Sequence, residues 1–357
     1  MLAQSPASPP AAGFNSTATS KTRPAVHTAS IAAAQTLRLP KTRQRRSPVV
    51  TAIAVDPSGS LLAVAGDDHV IHLLDQRTLR IRESLHQHED WVRTITFDSS
   101  GYHMASGGDG GRLFLWNRKG DRFVVNQVLA GAPSLYCVCH SPDRRQLAAV
   151  GFEAELFLFG TDNHQRLALH CDCRDLRAIA YRSDGHQIAT AGRNGQLHWF
   201  DTRHMQNSDD ARPQHIAAHT GRIRGLAYLG ESSRLCSVGE DGRVNVFDTA
   251  KRIHRYTGFI PACKLLSLAV LDENHIAVGT SDNQIYVLDI AAPPQSELAD
   301  GRAVPTIVTT LRGHHGSVGV LATDGRRLFS GSYDTTLRVW NLDDILKRHR
   351  LARRPLE

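Results

Sequence analysis

Aromatic residues are scarce in this 357-residue chain, at 6% against 41% hydrophobic residues in all. A core of the size this length allows must therefore be filled in many places by Leu, Ile, Val and Ala. No apolar run reaches the ~18 residues of a membrane-spanning helix. The first 35 residues hold none of the apolar stretches of a secretory leader, so export is not expected. Cysteines number six and are scattered as Cys137, Cys139, Cys171, Cys173, Cys236 and Cys263, which is no disulfide framework. The pairs Cys137-Val-Cys139 and Cys171-Asp-Cys173 are spaced too tightly for a structural zinc site, and the pattern fits buried thiols in a reducing compartment.

Acidic residues are missing from positions 1–50, which carry Lys21, Arg23, Arg38, Lys41, Arg43, Arg45 and Arg46. That segment alone accounts for the net +7; residues 345–357 add +4 and residues 51–344 carry −4. The high pI thus belongs to two tails and not to a basic domain, which weakens a general nucleic-acid-binding reading. Residues 1–35, rich in Ser, Thr, Ala and Pro, read as a disordered tail. Their lack of acids also suits organelle import as an alternative to a cytoplasmic location, although residues 1–20 hold no charge with which to build an amphipathic helix.

The central stretch is built on one repeated unit. Its last copy, from Leu311 to Leu342, alternates apolar and polar residues in three short runs separated by Asp324-Gly325 and Asp334-Thr335 turns. Trp340 closes it, and the same position is held by Leu74, Trp116, Phe159, Phe200, Phe247 and Leu288, at steps of 42, 43, 41, 47, 41 and 52 residues. Six residues before each of these markers stand Asp68, Gly110, Glu153, Asn194, Asp241, Asp282 and Asp334, and all but the glycine can accept hydrogen bonds in a tight turn. Seven units of period near 42, each with about four strands' worth of alternation, indicate a propeller. Within the last unit, His314, Ser330 and Asp334 lie near a buried indole. They need partners, and bonding to one another is the economical solution.

The chain resembles the WD-repeat β-propeller family, whose units carry a Gly-His pair, a Ser or Thr, a turn Asp and a closing Trp-Asp. That pattern stands here as Gly313-His314, Ser330, Asp334 and Trp340-Asn341, and again as His219, Ser237, Asp241 and Phe247-Asp248. The second repeat keeps His88, Ser106 and Trp116-Asn117, with Gly110 at the Asp position and Asp109 one residue early. The first, third, fourth and sixth lack the His. The resemblance covers about residues 36–342. It implies an all-β fold, a seven-bladed propeller of four-stranded antiparallel blades. Thr36 to Leu39 supplies the outer strand that the last repeat lacks and so closes the ring. Residues 343–357 form a basic C-terminal tail, and Leu342 to Leu351 suits a short helix.

The resemblance also places the blade junctions and the Asp-marked turns on one face, the top, and the long insertions Arg203 to Gln214 and Ala291 to Pro305 on the other. The second insertion is polar and Pro-rich, and both read as solvated loops. Trp91, Arg93, Arg177, Arg193, Arg222, Arg224 and Tyr333 fall on the top rim and are the candidate partner-binding residues. Arg93, Arg177 and Arg224 each follow the apolar residue that begins an inner strand, so they should gather at the channel and favour a carboxylate-rich segment. The recurring His, Ser and Asp are the types of a nucleophilic triad, but recurrence in buried turns points to structural hydrogen bonding and not catalysis. Gly107 to Gly111 has no following helix or Lys-Ser/Thr and is no phosphate loop. No catalytic residue, metal or cofactor is expected. The reading is a non-catalytic protein-interaction scaffold, a monomeric propeller within a complex, with no membrane partner. The alternative is binding of nucleic acid or another anionic surface through the two basic tails.

Overall fold

In the computed structural model of the protein, the structure describes residues 30–42, 46–130, 134–161, 165–205, 212–292, 294, 296–298 and 300–346. The period-2 runs form seven antiparallel four-stranded blades, here I to VII. Their innermost strands are Val50–Val55, Val92–Phe97, Leu135–His140, Leu176–Tyr181, Ile223–Tyr228, Leu265–Val270 and Val318–Thr323. Each of these packs on the next, and Val318–Thr323 packs on Val50–Val55, so the ring is complete. Among the described residues no helix is long and apolar enough to cross a membrane.

The core is divided into seven wedges, one between each pair of neighbouring blades. The marker residue of each repeat fills the wedge between its own blade and the preceding one. Trp116 sits with Leu61 and Leu73 of blade I, Phe159 with Leu113 of blade II, and Phe200 with Leu156 and Leu158 of blade III. Phe247 does the same against Trp199, Leu288 against Val244 and Val246, and Trp340 against Ile285 and Val287. Leu74 fills the wedge between blades VII and I, with Phe329, Leu337 and Val339. Full burial of such a side chain contributes about 1.5–3 kcal/mol. The aromatic shortage is therefore met by Leu in two wedges.

Blade VII takes its outer strand from the other end of the chain. Gln35–Arg38 pairs antiparallel with Thr336–Asn341, in the register Gln35↔Val339 to Arg38↔Thr336. Just before it, Ser30–Ile31 pairs in parallel with Thr310 and Leu311 of blade VI. These two residues and Gln35 fall in the segment that composition assigned to a disordered tail; backbone pairing to a sheet edge orders them instead. Residues 1–29 lie outside the described residues. At the other end, residues 342–346 form a helical turn whose Leu342 and Ile345 are buried in the blade VI–VII wedge, so the tail starts later than its charge pattern implied. The rest of the C-terminal segment, 347–357, lies outside the described residues.

The two bottom insertions are not simple solvated loops where they are described. Thr202–His204 is a 3₁₀ turn followed by a buried Met205. Ser296–Glu297 and Ala303–Val304 make a small hairpin that reaches the outer strand of blade V, where the Arg302 guanidinium lies 3.6 Å from the Phe259 ring centroid. Arg203 also pairs locally with Asp201, at 2.6 Å.

All seven innermost strands share one irregularity: the pairing register shifts immediately after the first residue, leaving the second as a bulge. In most blades a close backbone approach accompanies it at the far end of the adjacent strand. In five blades it ends in glycine, at Gly66, Gly108, Gly151, Gly192 and Gly239. At Gly108 and Gly151 a Cβ would overlap the carbonyl oxygens of Trp91 and Ser134. Those carbonyls turn inward to accept from Asp109 N (3.1 Å) and Phe152 N (3.2 Å). A bulge of this kind re-aims the extra side chain.

Removing residues 1–29 should leave the unfolding temperature within about 2 °C of the full chain, while removing 1–40 should lower it by about 5 °C or more, through loss of a blade strand and its edge pairing. Calorimetry of the two truncated chains checks this; equal melting of both would show that the strand does not contribute.

Candidate functional site

The per-repeat polar sets come first, because they fix the top turns. In blade VII the Trp340 indole donates to Ser330 Oγ at 2.9 Å, and Ser330 Oγ lies 2.8 Å from His314 Nε2. His314 Nδ1 lies 2.9 Å from Asp334 Oδ2. One tautomer satisfies the whole chain: Nδ1–H donates to the carboxylate, and Nε2 accepts from the hydroxyl that itself accepts from the indole. Asp334 also accepts from the backbone N–H of His315 and of Thr336. Blade V repeats this with His219, Ser237 and Asp241 at 2.8 and 2.9 Å; Phe247 brings no donor, and Asn245 Nδ2 stands 3.1 Å from His219 Nε2 instead. Blade II keeps His88, Ser106 and Trp116 at 2.7 and 2.9 Å without the acid. The side chains of His219 and His314 are 0% and 1% exposed. A substrate has no access to them, and they act as struts.

Burial works against ionisation of Asp334, but hydrogen bonds from His314, Thr336 and His315 N prevail and hold its carboxyl well below the usual range. Asp241 is likewise held at about 2: burial raises it, and bonds from His219 and the Thr220 and Arg243 amides lower it. Buried histidines elsewhere move the other way. Burial pushes His88, His140 and His198 down to about 4, so they are neutral in the fold at ordinary pH.

The seven bulge residues define the mouth of the central channel. Thr51, Arg93, Tyr136, Arg177, Arg224, Leu266 and Gly319, with Val50 and Tyr333, line a cavity of about 130 Å³. The three arginines that inner-strand register placed together are brought together. Their surroundings differ. Arg93 lies over the Trp91 ring at 4.5 Å and holds Asp109 through Nε (3.0 Å to both oxygens) and Nη2 (2.6 Å). Arg177 stacks on Tyr136 at 3.5 Å and reaches Asp175 at 2.6 Å. Arg224 donates no hydrogen bond to any described residue, and its nearest carboxylate, Glu240, is 3.8 Å away. Burial, and then the neighbouring Arg177 charge, pull its guanidinium below the usual value.

Arg222 stands outside the cavity lining. It bridges Asp175 (2.8 Å) and Glu240 (3.3 Å) and so ties blade IV to blade V. Glu240 also receives Lys264 at 3.0 Å; burial opposes its ionisation, but Lys264, Arg224 and Arg222 hold its carboxyl low. Arg193 is exposed and outside the lining, Tyr333 is 53% exposed within it, and Trp91, at 36%, lies beneath Arg93. Exposed Phe152 shares the top turns. Around the mouth, Arg93, Arg177, Arg222, Arg224 and Lys264 face Asp109, Asp175 and Glu240, five cations against three carboxylates. Sequence reasoning missed Thr51, Tyr136, Leu266 and Gly319 as mouth residues. Their signal is the second position of every inner strand, legible once the repeats are aligned. It also missed that Asp109 and Asp175 neutralise two of the arginines.

Four segments, residues 39–75, 79–117, 212–248 and 305–341, match the family model described as WD domain, G-beta repeat. They are the first, second, fifth and seventh repeats; three of them are those that carry the histidine set. Among curated proteins, the chain is 28% identical over 150 residues to Telomerase protein component 1 of Mus musculus, covering 42% of this chain and 6% of that one. It is 29% identical over 77 residues to THO complex subunit 6 homolog of Danio rerio, covering 22% of this chain and 24% of that one. It is 31% identical over 77 residues to Myosin heavy chain kinase D of Dictyostelium discoideum, covering 22% of this chain and 7% of that one. The matches thus span a quarter or less of each relative.

His314→Ala and Asp334→Asn should each destabilise the fold by about 1–3 kcal/mol, with a double variant less destabilised than the sum, since both break one network. Urea unfolding checks this, and additive losses would show separate roles. The buried histidines give a second expectation. They take a proton near pH 4 in the fold but near pH 6.5 when unfolded, so between those values the unfolded state binds more protons. Stability should therefore fall as pH drops from about 6.5 to 4, by up to about 1.4 kcal/mol per pH unit for each imidazole. His198→Phe should flatten that fall; an unchanged pH profile would count against a neutral buried His198.

Proposed function

Because the chain belongs to the WD-repeat β-propeller family, we propose that it is a non-catalytic scaffold that holds a partner protein at the top mouth of its channel. The observation that carries this reading is Arg224: a guanidinium at a concave, partly desolvated mouth without a hydrogen-bonded acid. A guanidinium so placed is a candidate contact, because desolvation of a charge is costly and an incoming counter-charge would offset it. The three arginines gathered at the mouth lie on a propeller body whose own charge is −4, so their convergence is a local arrangement and not bulk composition. Exposed Trp91, Phe152 and Tyr333 on the same face supply apolar contact of the kind that anchors interfaces. A partner segment rich in carboxylates or other anions fits the mouth by charge.

Two of the matched proteins are, by their names, a component and a subunit of larger assemblies, which supports membership of a complex. The family repeat itself is generally non-catalytic. The burial of every His-Ser set supports the same conclusion here. Within the rim, the geometry favours Arg224, Arg177 and Tyr333 as contacts and gives Arg222 and Arg93 supporting roles.

In quantitative capture from a native extract, Arg224→Glu should lower recovery of the co-purifying partner by more than tenfold, while deletion of residues 203–214 changes it little. Loss on loop deletion with a silent Arg224→Glu would move the working face to the bottom. A steep salt dependence that vanishes when residues 1–29 and 347–357 are removed would favour the basic tails instead.

A further inference from the structure

Blade I lacks a part that the complete blades have, and a cavity stands beside the place of that part. In blades II, V and VII the strut histidine stands four residues before the innermost strand: His88 before Val92, His219 before Ile223 and His314 before Val318. In blade I the same place, four residues before Val50, is held by Arg46. Its side chain is 54% exposed and turns to Asp67, at 3.2 Å. The acid of the strut is nevertheless present. Asp68 occupies the turn position of Asp241 and Asp334, with a side chain only 8% exposed. In blades V and VII that acid takes the imidazole Nδ1–H at 2.9 Å. Asp68 Oδ2 has no hydrogen-bond donor among the described residues; His72 Nε2 stands 3.7 Å away, beyond hydrogen-bonding reach. Blades IV and VI also lack the histidine, but they engage the turn residue internally. Asn194 donates to Asp172 O and accepts from Gln196 N, and Asp282 accepts from the Thr280 and Tyr286 hydroxyls.

The cavity beside Asp68 measures about 790 Å³ and lies over the top of blade I, between the junctions that lead into and out of that blade, apart from the channel mouth. Two of its lining residues carry buried polar atoms with no partner among the described residues: His72 Nε2, on a side chain 5% exposed, and Thr42 Oγ1. Atoms left so are costly, and a group that enters and bonds them recovers that cost. His88 lines the same cavity. The Trp116 indole donates to Ser106 Oγ, so the Ser106 hydroxyl donates to His88 Nε2 and the proton of the ring sits on Nδ1. Gly110 stands where the acid for that N–H would be. The cavity thus holds an acid without its imidazole and an imidazole without its acid. Pro40 and Val70 add apolar walls.

We propose that the blade I cavity binds a neutral imidazole-type ring, its N–H on the Asp68 carboxylate, in the place of the strut that this blade lacks. The second ring nitrogen, which carries no proton, can accept from His88 Nδ1–H or from the Thr42 hydroxyl. An anion has no donor for Asp68 and is repelled by it. A metal ion is not favoured, since among the described residues no group of three or more His, Cys, Asp or Glu could hold one. The volume lies within the ~300–1,000 Å³ of ligand pockets and far exceeds a five-membered ring, so the ring comes on a larger body. That body is either a small heteroaromatic compound or a partner segment carrying a histidine, and the two are separable by experiment.

The test is calorimetric titration of the purified full chain at pH about 8, where an imidazole is uncharged, with benzimidazole, 1-methylbenzimidazole and the tripeptide Gly-His-Gly. Benzimidazole should bind at least tenfold more tightly than its methylated form, which keeps the shape and lacks the N–H. Tighter binding of the tripeptide than of benzimidazole would identify a histidine side chain as the source of the ring, and the reverse a small compound, both within the proposal. Asp68→Asn should lose at least fivefold of the affinity, and Asp282→Asn, at the same turn position of a blade whose acid is already engaged, should lose none. Arg46→His guards against misfolding as the cause, because it returns the missing ring from the chain itself. It should block benzimidazole binding and raise the unfolding temperature. Equal binding of benzimidazole and its methylated form, equal losses at Asp68 and Asp282, or undiminished binding by a folded Arg46→His chain would overturn the proposal. So would the absence of measurable binding by both benzimidazole and the tripeptide.

Discussion

Closure of the ring is the constraint on which the rest depends. A blade buries its faces only against neighbours, and each of the seven wedge cores belongs to two blades. An open array would leave blade I and blade VII each with one apolar face in water. The wedge of Leu74, Val50, Phe329, Leu337 and Val339 joins those two faces. Closure also creates the channel, and through it the mouth: seven bulged second residues converge only because the innermost strands meet in a circle. A single strand of this kind would present one arginine to solvent, worth little on its own.

Much of this was legible in the chain. The marker positions from Leu74 to Trp340 indicated both the blade count and the residue that fills each wedge, because a large apolar side chain at a fixed point of a repeat must meet the same environment each time. The glycines that end five second strands were not read from the sequence; at Gly66, Gly108, Gly151 and Gly192 they mark where a neighbouring carbonyl comes too close for a Cβ. The convergence of Arg93, Arg177 and Arg224 followed from the same periodicity.

What escaped the sequence is what depends on pairing between repeats. Asp109 looked like a turn acid displaced by one residue; it is the bidentate partner of Arg93. Asp175 and Arg222 belong to different blades, and only the packed geometry brings them to 2.8 Å. The charge left at the mouth is therefore smaller than three free arginines and more localised, centred on Arg224. Ser30–Ile31 carries too few residues for a period, and its parallel pairing to blade VI had no signal in the sequence. The hairpin at Ser296–Glu297 and Ala303–Val304 was hidden by its polar, Pro-rich composition.

The division of labour is physical. The His-Ser-Asp sets are buried, mutually satisfied and confined to the blades where they occur, so they serve rigidity. The bulge residues are half-exposed and unequal from blade to blade, and the proposed recognition would draw on that inequality. Both depend on the chain's two ends meeting in blade VII. The most direct measurement of that is disulfide trapping in a double variant, Thr36→Cys with Arg338→Cys, at positions that face each other across the closing pair of strands. The closed ring predicts that mild oxidation gives an intramolecular cross-link between the two introduced thiols, read as one joined peptide by mass spectrometry, with a raised unfolding temperature. Free thiols at both positions after oxidation, with the blades otherwise folded, would contradict it.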